Sequence, residues 1–294
     1  SGGIIFLLSL LVFYKPEFYQ FKIILLSIFF TGILSDINLI SSPIKRILIQ
    51  IVVICLYLYF IPTYIYSIRW DFFDYYLQNS YVGYFFTLLC LAILINGSNF
   101  MDGLNILVVG YFLIVTYIIL HLSNNFNLEL DFYLVKTILA TLLVIFAFNF
   151  FGLLFLGDSG AYLISFVIGY ILIHFSHDNS YMVSPYFVAC MLWYPAYENL
   201  FSIIRKKFNK KSATKADITH LHQLLYIFVR NKLSYSDKSI NTLTGFIVIF
   251  FNLLILMIGA KNFNDSKILI LLIISSVIFY NFIYYYLKNK NRTI

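Results

Sequence analysis

The sequence predicts an all-α protein that crosses a membrane about ten times, as one transmembrane domain over residues 1–294. Of its residues, 61% are hydrophobic and only 11% charged. Apolar runs recur along the whole chain at lengths near the ~20 residues a membrane-crossing helix needs. The third observation is placement: the few polar clusters fall between those runs rather than inside them.

The expected spans are 3–14, 21–34, 46–62, 81–95, 104–122, 132–149, 160–176, 182–201, 242–260 and 266–287. The first two are short; Ser35-Asp36 closes the second, and Lys45-Arg46 open the third. The run 81–95 ends in Asn96-Gly97-Ser98-Asn99-Phe100-Met101-Asp102-Gly103, and the seventh span comes after Leu156-Gly157-Asp158-Ser159-Gly160. The eighth leads into a long basic loop, 201–241, that holds His220-Leu221-His222. Threading the chain back and forth places 35–45, 96–103, 150–159, 201–241 and both chain ends on one side, so all four clusters share a face.

Charge supports this threading. Fourteen of the 20 Lys and Arg residues lie on the cluster side; Lys15, Lys22, Arg69, Lys136, Lys261 and Lys267 lie opposite. Basic excess marks the cytoplasmic face, so the clusters are expected to be cytoplasmic. Acidic residues divide almost evenly, seven outside and six inside, and every inside acid except Asp237 lies in or beside a cluster.

The net charge of +7 is a topology signal and an attraction for anionic lipid or phosphate; with no sizeable soluble domain, nucleic acid is not an expected partner. Cys55, Cys90 and Cys190 lie in apolar runs without paired spacing and read as small core residues. The start, Ser1-Gly2-Gly3-Ile4, has no basic region before its apolar run, so no cleavable signal peptide is expected; lacking an initiator Met, the chain is expected to lack its true N-terminus.

Asn96, Asn99 and Asp102 are spaced by three, which on a helix puts two carboxamides and a carboxylate on one stripe. Gly103 beside them allows close backbone approach to a ligand. Asp158 stands at a helix start, where free amides and the helix dipole favour anions; an aspartate there is suited to Mg²⁺, with neighbouring amides on phosphate oxygens. The bland alternatives are polar capping for the first group and an ordinary Asp N-cap for the second. Asp36 opposite Lys45 and Arg46 reads, taken alone, as an interfacial salt bridge. His220 and His222, with Asp217 before them, open an amphipathic stretch; no further ligand is spaced for zinc, and imidazoles beside a basic loop suit phosphate.

In order, these motifs resemble the polyprenyl-phosphate N-acetylhexosamine-1-phosphate transferases, relatives of the phospho-N-acetylmuramoyl-pentapeptide transferases in glycosyl transferase family 4. The resemblance runs from residue 1 to about 226, and Ser1-Gly2-Gly3 is similar to the Gly-Gly segment after that family's first helix. It implies an Mg²⁺-dependent enzyme, with Mn²⁺ as an alternative ion, in the bacterial inner membrane. Undecaprenyl phosphate would attack the β-phosphate of a UDP-N-acetylhexosamine, releasing UMP and starting a lipid-linked cell-envelope polysaccharide. The implied catalytic residues are Asp36, Asp102, Asp158, His220 and His222. Asn96, Asn99, Gly103, Lys45, Arg46 and Asp217 would bind substrate, and Asp158 and Asn99 the metal. The bilayer and a second copy of the chain are the other expected partners. Asp217-x-x-His220-x-His222 is closer to the hexosamine branch than to the muramoyl-pentapeptide branch. The chain departs from the family pattern at Ser35, Asn105-Ile106, Ala161 and Gln223. The rival class, a transporter or flippase, expects acids near the midplane and at both mouths; Asp36, Asp102 and Asp158 instead share one face.

Overall fold

The computed structural model describes residues 1–14, 19–208 and 219–291. Among these, the regular elements are helices: α1 (Gly2–Phe13), α2 (Tyr19–Asp36), α3 (Pro43–Phe60), α4 (Asp71–Leu77), α5 (Ser80–Met101), α6 (Leu107–Phe126), α7 (Phe132–Phe150), α8 (Gly157–Asp178), α9 (Pro185–Met191), α10 (Trp193–Phe208), α11 (Leu221–Arg230), α12 (Asp237–Lys261) and α13 (Ser266–Lys290). Eight of them, α2, α3, α5, α6, α7, α8, α12 and α13, have 18 or more residues and are apolar enough to cross a bilayer. The chain is therefore an all-α polytopic membrane protein.

Local chemistry sets the helix ends. Pro43 and Pro185 occupy first helical positions, where the missing N–H costs nothing. Asp131 accepts the Leu134 amide at 2.9 Å, and Asp265 accepts those of Lys267 and Ile268, so α7 and α13 start on aspartate caps.

Two expectations change. The span expected over 182–201 is two helices, α9 and α10, separated at Leu192. Pro195 has no N–H for the Met191 carbonyl four residues back, and the Tyr111 hydroxyl donates to that carbonyl instead, at 2.9 Å. The segment expected as a long basic loop is also largely helical: α10 continues to Phe208, and α11 and the first turn of α12 lie within 201–241.

Contacts at the helix ends partition as the threading requires. At one end Arg69 donates to the carbonyls of Ser180 and Val183 at 3.1 Å and of Asn264 at 3.2 Å, and the Tyr14 hydroxyl donates to Asp131 at 2.9 Å. At the other lie the ends of α2, α5 and α10 and the starts of α3, α8, α11 and α12. Small residues set the spacing there, because only a residue without a side chain lets two backbones approach so closely. Gly3 of α1 lies against Gly160, Gly32 of α2 against Ser159, and Gly97 of α5 against the Pro195 carbonyl. Asp36 is one helical turn beyond Gly32, so the contact that packs α2 on α8 also delivers its carboxylate to the start of α8.

Candidate functional site

The start of α8 has no side-chain cap of its own; the residue before it is Leu156. Asp36 supplies the cap from α2, its carboxylate accepting the amides of Asp158 at 2.8 Å and Ser159 at 3.2 Å. Gly157 takes a left-handed conformation (φ 74°), and a Cβ there would lie 3.0 Å from Asp36 Oδ2, so glycine is required at this approach. The amides expected to take phosphate oxygens are thus already occupied by Asp36. Asp158 is not an ordinary N-cap either: it stands in the first turn of α8 with its side chain directed to other helices.

Arg46 reaches the same helix start from α3. Its guanidinium pairs with Asp158 Oδ2 at 3.2 Å, not with Asp36, while its Nε holds the Ile40 carbonyl at 2.7 Å. Ser35, buried, donates its hydroxyl to the same oxygen of Asp158. Lys45 is exposed at the start of α3.

Asp102 closes α5, and Gly103 comes next. Burial is the main reason its carboxyl is pushed up to about 7; the charges of Asp158 and Asp36 act in the same direction, and the Gly157 amide opposes them. The three carboxylates therefore sense one another across one space. Asn99, a turn earlier, has a buried side-chain oxygen without a hydrogen-bond partner. Asn96 is differently engaged: its amide donates to Gln50 at 2.9 Å and to the Ala92 carbonyl at 2.8 Å, not toward Asp102.

Behind Asp102 the backbone turns through Ile106, which sits at φ 61°. A β-branched residue is strained in this left-handed region. It is held there by Asn149, whose side chain accepts the Ile106 amide and donates to the Leu154 carbonyl at 2.6 Å. One buried amide thus joins the Asp102 loop to the loop that leads to Asp158.

The histidines join through Gly103, where a Cβ would lie 3.0 Å from His222 Nε2. His220 stacks obliquely on Phe100, ring centroids 5.0 Å apart, and lies nearly parallel to His222 at 5.7 Å. Both rings are buried, and His222 has no hydrogen-bond partner at either nitrogen. Burial lowers the His222 imidazole below its ordinary value, which Glu198 partly offsets. Gln223, where the family pattern has a third histidine, accepts the His220 amide at 3.2 Å and so starts α11. Asp217 lies outside the described residues.

The residue that sequence reasoning missed is Glu198. Fully buried on α10, it takes His220 Nδ1 at 2.9 Å, lies 3.7 Å from His222 Nδ1, and accepts the Tyr194 hydroxyl at 3.3 Å. The available signal was an acid inside an apolar run, which in a membrane protein marks function by default. The structure therefore brings Asp36, Arg46, Asn99, Asp102, Gly103, Asp158, His220 and His222 to one end of the bundle, and leaves Asn96 turned aside and Lys45 exposed.

Among the described residues, no three His, Cys, Asp or Glu side chains converge into a metal cage. Mg²⁺ seldom uses one: it keeps several waters and takes one or two carboxylates plus substrate phosphates. Asp158, Asp102 and the orphaned Asn99 oxygen are hard oxygen donors of that kind, so the residues present fit the ion.

A large cavity lies elsewhere. It holds about 650 Å³, is mainly apolar, and runs from Tyr64 and Arg69 at the far end past Cys90, Gly169 and Trp193 to Leu200 on α10, two residues from Glu198.

No curated protein matches the chain. A family model, glycosyl transferase family 4, matches residues 19–176, more than half of it and inclusive of Asp36, Asp102 and Asp158. The chain therefore belongs to glycosyl transferase family 4, the family of membrane-embedded polyprenyl-phosphate sugar-1-phosphate transferases.

Proposed function

We propose that this transferase moves N-acetylhexosamine 1-phosphate from a UDP-sugar to undecaprenyl phosphate on the cytoplasmic face of a bacterial inner membrane. An oxygen of the lipid phosphate attacks the β-phosphorus of the donor, and the bond from that phosphorus to the bridging oxygen breaks. UMP leaves with the bridging oxygen, and the sugar remains on a lipid diphosphate. The observation that carries this reading is the convergence of Asp36, Asp102 and Asp158 with two buried histidines at one end of the bundle.

Two anionic phosphates must meet in this reaction, so charge compensation is the main demand on the site. Asp158, Asp102 and Asn99 would hold Mg²⁺, which when bound neutralises the diphosphate and the leaving UMP. Arg46 is anchored on Ile40 and Asp158 and presents positive charge beside the acids, suited to the incoming lipid phosphate. Ser35 replaces a carboxylate there, and the lipid phosphate, with a second pKa of about 6, is mostly ionised without a base at neutral pH. Asp36 orients Asp158 by capping its helix. Glu198 sets the rings of His220 and His222 toward the donor diphosphate and sugar. The apolar cavity along α5, α8 and α10 suits an isoprenoid chain.

The test is UMP release from candidate UDP-sugars by the purified full-length protein, with undecaprenyl phosphate and Mg²⁺. Release that requires all three components is expected. Ligand-driven transport of lipid in vesicles without UMP release would instead favour a flippase.

A further inference from the structure

We infer that Arg205 is a positioning residue which, with Glu198, fixes the histidine-bearing start of α11 and ties it to α13. Glu198, Ser202 and Arg205 succeed one another at four- and three-residue steps, so they form one stripe on α10, and all three are buried. The two ends of that stripe grip consecutive residues. Glu198 takes the Nδ1 of His220 at 2.9 Å, and Arg205 Nη1 donates to the carbonyl of Thr219. The same guanidinium donates to the Tyr284 hydroxyl on α13 at 3.1 Å and to Ser202 Oγ at 3.5 Å. It also lies 5.5 Å from the ring centroids of both Phe201 and Tyr284.

This arrangement does more than satisfy a buried charge. A guanidinium is planar, and its donors point in fixed directions, so acceptors on α10, on α13 and just ahead of α11 are set relative to one another. Burying it without such partners would be costly. Twelve residues separate α10 from α11 in sequence, so side chains, not a short covalent link, determine where His220 and His222 sit. A second tie runs the same way: Asn291, past the end of α13, donates to the Leu224 carbonyl at 3.0 Å. The last helix of the chain, beyond the part matched by the family model, is thereby joined to the site.

The kinetic arm of the test rests on the proposed reaction; the structural arm does not. In Arg205→Lys a single ammonium replaces the fork, and turnover should fall about tenfold, the scale of losing a hydrogen bond to a charged group. Tyr284→Phe removes one acceptor and should cost about twofold to threefold. Carbethoxylation of histidines, mapped by mass spectrometry on the full chain in detergent, needs no substrate. His220 and His222, 4% and 0% exposed, should react slowly in the wild type. Both should react several-fold faster in Arg205→Lys and measurably faster in Tyr284→Phe, with His174 and His121 unchanged. Unchanged rates at His220 and His222 in both variants, or equal acceleration at every histidine, would overturn the inference. A wild-type protein that releases no UMP overturns the proposed reaction alone, since the histidine rates still decide this one.

Discussion

The carboxylate of Asp36 accepts the backbone amide of Asp158 at 2.8 Å, so one acid of the site caps the helix on which another stands. Removing it should therefore act on stability and on turnover separately. Asp36→Ala deletes the cap and should lower stability by about 1 kcal/mol. Asp36→Asn keeps one of the two acceptors, for the Asp158 amide, and should lose less stability than Asp36→Ala by thermal unfolding, since Asn is itself a good N-cap. Turnover should drop sharply in both. Normal UMP release by Asp36→Asn would reduce Asp36 to a cap.

Asp158→Asn should abolish turnover and its Mg²⁺ dependence while the protein remains folded in detergent, because the amide keeps the shape but binds a divalent cation far less well. Activity within a few-fold of wild type would remove Asp158 from the site.

Ser35 donates to Asp158 from a buried position. Ser35→Ala should cost about 1 kcal/mol of stability, the usual worth of one hydrogen bond, and far less turnover than Asp36→Asn. Ser35→Asp would set two carboxylates in contact. Its stability should therefore depend on Mg²⁺ more steeply than the wild type's, and melting curves with and without the ion read this directly. Equal damage from Ser35→Ala and Asp36→Asn would make the serine itself functional.

Asp102 gives a pH signature. Its folded value is raised to about 7, so the folded state holds this proton more tightly than the unfolded chain, where Asp titrates near 4. Its stabilising effect is complete below about 4 and is lost as pH rises through about 7. Without Mg²⁺, stability should fall across that window, and Asp102→Asn should flatten the fall. If the ionised carboxylate helps hold Mg²⁺, the apparent affinity should tighten as pH rises toward 7 and level off above it. An affinity that is flat with pH in the wild type would detach Asp102 from the metal.

Ile106 combines left-handed strain with full burial, and the magnitudes decide the outcome of substitution. Losing the buried side chain costs about 2–5 kcal/mol, against about 1–2 kcal/mol for strain relieved by glycine. Both Ile106→Ala and Ile106→Gly should therefore destabilise. Glycine should be the milder by about 1 kcal/mol, the reverse of the usual helix or strand order. Denaturant unfolding that finds alanine milder would contradict the strain.

Which face the site occupies is tested by labelling. A cysteine at Asn231 should be shielded from an impermeant thiol reagent in intact cells, and one at Asn124 should react, because the two exposed positions lie at opposite ends of the bundle and the basic excess marks the inner one. The opposite labelling pattern would place the site outside, away from a cytosolic UDP-sugar.

The sequence alone determined the membrane architecture, the gathering of the acidic and histidine clusters at one end, and the family. These depend on the lengths of apolar runs and on the order of short motifs, both of which are local and survive any detail of packing. Tertiary structure alone decided how the polar groups pair. Arg46 had Asp36 within reach in sequence but pairs with Asp158. The amides at the start of α8 take Asp36, because Gly32 lets α2 lie against Ser159. Glu198 stood in the sequence only as one of the acids on the cluster side, and became the partner of His220 once α10 and α11 packed together. The break before Pro195 depended on Tyr111, 84 residues earlier, to satisfy the freed carbonyl. A hydrogen bond needs its atoms within about 3 Å, and only the close approach of specific helix faces decides which of several eligible partners comes that near.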